Sequence, residues 1–253
     1  MNKDQMIELL KTNVATWNVW RAGNPDEIID LSEADLSDAD LSDAELRGAN
    51  LFAANLNGAN LEYADLFKAN LEEADVRRAK LRRAKLEGAK LRHADLRHAD
   101  LRDANLEGAA LEFANLSDAN LCGANLYSAY LECASLSRAD LRDANLRRAK
   151  LRQAKLVEAN LGYANLEGAD LRDANLRGAS LTAADFCSAN LEGAKLVDAG
   201  LYLAELRHAN LSYANFEGAY LYRADFEGAN LEWAAGKTIN SRTADMIKKG
   251  EKK

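Results

Sequence analysis

The chain of 253 residues carries 33 Lys plus Arg against 40 Asp plus Glu, a formal net charge of −7. It has no run of about 18 apolar residues, which excludes a membrane-spanning helix, and its start, MNKDQMIELLKTNVATW, lacks the apolar stretch and small-residue cleavage site of a secretory leader. Three cysteines without C-x-x-C spacing (Cys122, Cys133, Cys187) fit a reducing cytoplasm and neither a disulfide framework nor a zinc site.

Within residues 1–25, Ile7, Leu10, Val14 and Trp17 recur at helical spacing, with Trp20 close to the stripe. Asp4 stands near the start and Asn24-Pro25 supplies a stop, so one helix is expected here.

From Leu31 to Leu231 every fifth residue is a repeat centre: 37 Leu, with Val76, Phe186, Phe216 and Phe226 in the other four places. From Leu36 onward Ala stands two residues before every centre, and Asp or Asn usually lies between them. This period fits neither regular element. On a helix the leucines would step by about 140° and scatter around the cylinder, and on a straight strand they would alternate between faces. A chain that bends once per pentad keeps Leu and Ala inward throughout. Ten glycines (48, 58, 88, 108, 123, 168, 178, 193, 218 and 228) lie two residues after a centre, where a type II turn needs positive φ.

Stretches such as ADLSDADLSDAELRGANL and ANLEGADLRDANLRGASL match A-(D/N)-L-x-x, and residues 31–235 resemble the pentapeptide repeat family. The resemblance implies an all-β fold, a right-handed quadrilateral β-helix of about ten coils with four pentads to a coil. Such a solenoid needs its apolar ends covered. The expected organisation is an N-terminal capping helix over 1–25, the β-helix over 26–235, and a C-terminal cap or basic tail over 236–253. The N-terminal segment also admits a partner-binding helix presenting Trp17 and Trp20. The tail, with Ile239, Met246 and Ile247 before KKGEKK, fits either a cover for a monomeric rod or an end-to-end dimer contact.

Charge is segregated. Residues 26–75 hold 14 acidic and 2 basic side chains, residues 76–100 hold 9 basic and 3 acidic, residues 101–155 are nearly balanced, and residues 156–235 hold 12 acidic and 5 basic. Some members of the family imitate DNA to bind gyrase, which calls for negative charge along the whole rod. Here a basic band led by Arg77, Arg78, Arg82 and Arg83 interrupts it. The band reads as an anion or nucleic-acid contact, or as a ladder of solvated pairs with Glu62 opposite Arg82 and Glu72 opposite Arg92, 20 residues apart. No aromatic residues interleave the band, so nucleic acid is not the expected partner.

A 20-residue coil brings Tyr202 and Tyr222 into one column with Leu203 and Tyr220 beside them, a candidate partner surface. Ala110 with Tyr130 and Phe113 with Cys133 form a second pair of columns. No phosphate-loop or dinucleotide motif occurs, the three histidines (His93, His98, His208) are dispersed, and a convex rod offers no cleft to perturb a carboxylate. The expectation is a cytoplasmic, non-enzymatic scaffold for an unidentified protein, with no cofactor or metal. A DNA-mimicking topoisomerase inhibitor and an anion binder are the alternatives.

Overall fold

A computed structural model describes residues 1–236. The N-terminal segment forms two helices, α1 (Lys3–Thr12) and α2 (Val14–Gly23), where one was expected. Asn13 causes the break. With φ −159° it leaves the helix, donates its N–H to the Leu9 carbonyl at 2.8 Å, and accepts the Thr16 N–H on its side chain at 2.8 Å. One residue thus ends α1 and caps α2. Asn2 and Gln5 form a reciprocal capping box at the start of α1. Met6, Leu10 and Trp17 are buried against the first coils, while Ile7, Val14 and Trp20 are partly covered. Trp17 donates Nε1–H to the Glu45 carbonyl at 3.1 Å, and Asn18 clamps the same loop through the Asp43 carbonyl and the Glu45 N–H.

From Asp30 onward the chain coils. Residue i bridges residue i+20 in parallel at every Asp/Asn position, from Asp30–Asn50 to Asn215–Ala235. Four pentads therefore close one coil, and coils stack at a strand spacing of about 4.8 Å. The first pentad shows how each N–H is satisfied. Leu31 and Glu33 donate to the Asn50 and Phe52 carbonyls of the next coil at 2.7 Å each, and Ala34 donates back to the Leu31 carbonyl at 3.1 Å. Ser32 donates to the Asp30 carboxylate at 3.1 Å, and one coil on, Asn50 donates to the Ile29 carbonyl at 2.8 Å. The Asp/Asn position is thereby explained, since its side chain takes the one N–H that no backbone group reaches.

The turn expected two residues after each centre is present at all 41, ten of them at the glycines and 31 at other residues, from Glu33 (φ 55°) to Trp233 (φ 59°). A left-handed residue other than glycine costs about 1–2 kcal/mol. Burying the leucine of each pentad returns about 1.5–3 kcal/mol, with a smaller gain from the alanine, which offsets the left-handed cost at the non-glycine turns. The centres and alanines are almost all fully buried, and Phe216 meets Phe226 edge-on at 6.2 Å near the C-terminal end. Beyond Gly236, the expected C-terminal cap or tail lies outside the described residues.

Candidate protein-binding face

Charges on the exterior are paired by a local rule that sequence reading missed. Where Arg follows Asp by two residues, across a repeat centre, the carboxylate accepts both the Arg backbone N–H and a guanidinium fork. This occurs at Asp75–Arg77, Asp95–Arg97, Asp100–Arg102, Asp140–Arg142 and Asp170–Arg172, with Nη2–Oδ2 distances of 2.5–2.6 Å. These hydrogen bonds hold Asp75, Asp100, Asp140 and Asp170 below the usual carboxylate range. The signal was present in the recurring D-L-R tripeptide.

The candidate anion band is occupied by such contacts. Arg77 forks onto Asp75, Arg82 and Arg83 both approach Asp103 at 3.9 and 3.8 Å, and Lys85 reaches Asp65 at 3.6 Å. Arg78 is exposed. The expected pairs of Arg82 with Glu62 and Arg92 with Glu72 do not form as such. Arg82 turns to Asp103, and Arg92 donates Nε–H to Glu112 at 3.0 Å. Glu112 is largely buried, its side chain 14% exposed, so the attraction there is less screened by solvent.

The side of the coil backed by Leu161, Leu181, Leu201 and Leu221 is different. Its eleven consecutive outward positions from Asn160 to Tyr222 carry no charge, although Arg142 and Asp143 precede them and Arg223 follows. Tyr202 stacks on Tyr222 with centroids 6.0 Å apart and planes within 2°, and Tyr220 tilts against Tyr222 at 6.3 Å. Tyr220, Tyr222 and Leu203 are exposed, as is Tyr163 (67%) at the lower end of the strip. The four residues singled out from sequence are thus adjacent. Tyr163 belongs with them and was missed, though its place 40 residues before Leu203 puts it in the same column.

The pentapeptide repeat profile matches residues 29–66, 64–103, 104–143, 134–173, 164–200 and 201–234. The chain belongs to the pentapeptide repeat family. Family membership implies a right-handed β-helix solenoid, and such proteins are generally structural or binding proteins. Among solved structures, HetL, a pentapeptide repeat protein involved in heterocyst differentiation regulation from the cyanobacterium Nostoc sp. strain PCC 7120, is 38% identical. The match covers 85% of this chain and 94% of HetL, with a TM-score of 0.36. A pentapeptide repeat protein of the Arabidopsis thaliana thylakoid lumen is 32% identical over 40% of this chain and 68% of its own, with a TM-score of 0.35. QnrB1, a plasmid-mediated fluoroquinolone resistance protein, is 16% identical over 88% of this chain and 96% of its own, with a TM-score of 0.39. No curated protein matches.

Two other side-chain groups stand out on the pentapeptide repeat rod. Asp185, Cys187 and Glu205 bring three potential metal ligands within 4.8 Å of one another. Arg207 already supplies the cation, 2.8 Å from Glu205, and burial pushes the Cys187 thiol up, so it stays protonated at neutral pH. Glu112 and Glu132 lie in one column, each with a buried, unpartnered Oε2. Burial, with Glu112 adding to it, pushes Glu132 up. For Glu112 burial is outweighed by Arg92, which holds it low. His93 stacks on Phe113 at 5.1 Å and is not paired with His98.

Proposed function

We propose that this protein is a non-enzymatic, cytoplasmic bacterial scaffold that binds another protein through the face bearing Tyr202, Leu203, Tyr220 and Tyr222. The carrying observation is the charge-free strip that presents exposed Tyr163, Leu203, Tyr220 and Tyr222, with half-buried Tyr202 stacked among them, on a chain of which 29% is charged. Tyrosine combines apolar area with a hydroxyl at low entropic cost and is favoured at interfaces. The DNA-mimic alternative is disfavoured by the basic coil at 77–85, and the anion alternative by the carboxylates that engage Arg77, Arg82 and Arg83.

A pull-down from lysate comparing wild type with Tyr202→Glu/Tyr222→Glu tests the reading. A specific partner lost in the double variant supports it. Capture of gyrase subunits by both proteins would promote the mimic, and retention of nucleic acid through Arg77, Arg78, Arg82 and Arg83 would promote the anion binder.

A further inference from the structure

The column of Asp/Asn positions that runs through Gly200 changes character along the tyrosine strip. Lower in that column Asp40, Asn60, Asp100, Asn120, Asp140 and Asn160 each accept, on Oδ1, the backbone N–H two residues on, at 3.1–3.2 Å. The column then continues with Ser180, Gly200 and Tyr220, and the N–H groups of Thr182, Tyr202 and Tyr222 have no acceptor among the described residues. Gly200 is the one residue of the Asp/Asn positions without a Cβ, and a Cβ there would meet nothing within 4 Å. Its φ is ordinary, so the backbone does not require glycine. Around it every N–H but one is used. Gly200 donates to the Ala179 carbonyl at 2.9 Å, Leu201 to Tyr220 at 2.8 Å, Leu203 to Tyr222 at 3.2 Å and Ala204 to Leu201 at 3.1 Å, which leaves the Tyr202 N–H over.

We infer that the open position at Gly200 seats an aspartate side chain of the partner protein, whose carboxylate takes the Tyr202 N–H as Asp140 takes that of Arg142. This rests on the binding face proposed above and names what it takes. The seat offers donors and so calls for an oxygen acceptor: the Tyr202 N–H lies within it, and the Ser180 and Tyr220 hydroxyls belong to the coils that bridge Gly200 from below and above. Tyr202 and Tyr222 turn their ring faces on each other, which leaves the electropositive ring edges to the outside. A carboxylate suits these donors better than an amide, because hydrogen bonds to a charged acceptor are about twice as strong. Its charge meets no carboxylate on the strip and finds Arg223 at the edge, exposed and without an ion pair among the described residues. Asp198, two residues before Gly200, faces Arg177 at 3.9 Å. Addition of a partner strand is excluded, because the Gly200 and Tyr202 carbonyls already accept from Leu181 and Ala183. Recognition must come from a side chain.

Titration of the isotope-labelled full chain with a blocked Gly-Asp-Gly peptide, followed by NMR at the Tyr202 amide proton, tests this, with Gly-Asn-Gly and Gly-Ala-Gly as controls. The aspartate peptide is expected to shift that proton downfield to saturation, the asparagine peptide to bind roughly tenfold more weakly, and the alanine peptide to leave it in place. Arg223→Gln should narrow the gap between the aspartate and asparagine peptides. Gly200→Asn supplies the acceptor from within the chain, so it should melt no lower than wild type and lose the response. A Tyr202 proton that ignores the aspartate peptide, moves equally with the alanine peptide, or responds undiminished in Gly200→Asn overturns the inference, and the peptide comparison on wild type decides even if a variant fails to fold. If Gly200→Asn keeps a pull-down partner that Tyr202→Glu/Tyr222→Glu loses, the face stands and the aspartate seat falls.

Discussion

Arg142 closes a two-point fork on Asp140 across one intervening leucine, Nε to Oδ1 at 2.9 Å and Nη2 to Oδ2 at 2.6 Å, while its backbone N–H donates to the same Oδ1 at 3.2 Å. The carboxylate thus serves the turn and the exterior ion pair together, and this sets how the rod responds to acid.

The Arg142 side-chain hydrogen bonds lower the folded pKa of Asp140 below its ordinary 3.8. The stabilisation is therefore complete above that value and is lost as pH falls through the lower folded value. Asp140→Ala should cost about 1 kcal/mol at pH 7, the worth of a charge-assisted turn bond with half-exposed Arg142 discounted for solvent. Thermal unfolding of both proteins from pH 7 to pH 2 should show the gap closing at the acid end. A gap independent of pH would mean that the carboxylate charge contributes nothing.

Glu132 behaves in the opposite sense. Burial raises its folded pKa, so its stability contribution is full below the ordinary 4.5 and is lost as pH rises through the folded value. Glu132→Gln removes the charge and puts an amide donor one coil above the unpartnered Oε2 of Glu112. Melting at pH 7 should rise by about 1–2 °C, the size of ~0.5 kcal/mol in a chain of this length, and the advantage should vanish near pH 3. A lower melting point for Glu132→Gln at pH 7 would contradict the assignment.

Leu121 is fully buried between identical neighbours above and below, and the stack around it is pinned by backbone bonds on every side. Leu121→Ala should leave a cavity and cost ~2–5 kcal/mol. Lys150→Ala, at an exposed position whose column already contains Ala110, should cost less than ~0.5 kcal/mol. Urea unfolding measures both, and equal costs would contradict the inward and outward placement.

The solenoid was legible because a strict period leaves one solution: Leu31 and its successors can all be buried only if the chain turns once per pentad. The period alone does not set the number of sides; the columns followed from the 20-residue coil that the resemblance to the pentapeptide repeat family implied, which placed Tyr202 beside Tyr222. Ion pairing was less legible. Column counting favoured Glu62 with Arg82, but a long guanidinium has several carboxylates in reach: Arg82 approaches Asp103, Arg92 takes the largely buried Glu112, and Arg142 takes the Asp140 already bonded to its own backbone N–H. The helix break at Asn13 was hidden because the apolar stripe of Leu10, Val14 and Trp17 continues through it. Sequence reading passed over Gly162 and Gly200, which stand one residue after and one before a centre rather than in the turn position, and have ordinary φ.

That separation predicts opposite responses to substitution. Gly88 has φ +63°, and a Cβ there would touch only the flexible Lys68 side chain at 3.4 Å. The cost of Gly88→Val is then almost entirely the left-handed backbone imposed on a β-branched residue, about 1–2 kcal/mol. Gly200→Val enters open space at an extended position, where β-branched residues are favoured, and should be neutral within ~0.5 kcal/mol. Chemical denaturation of the two variants decides the matter. A large loss for Gly200→Val would show that glycine is needed there for the fold.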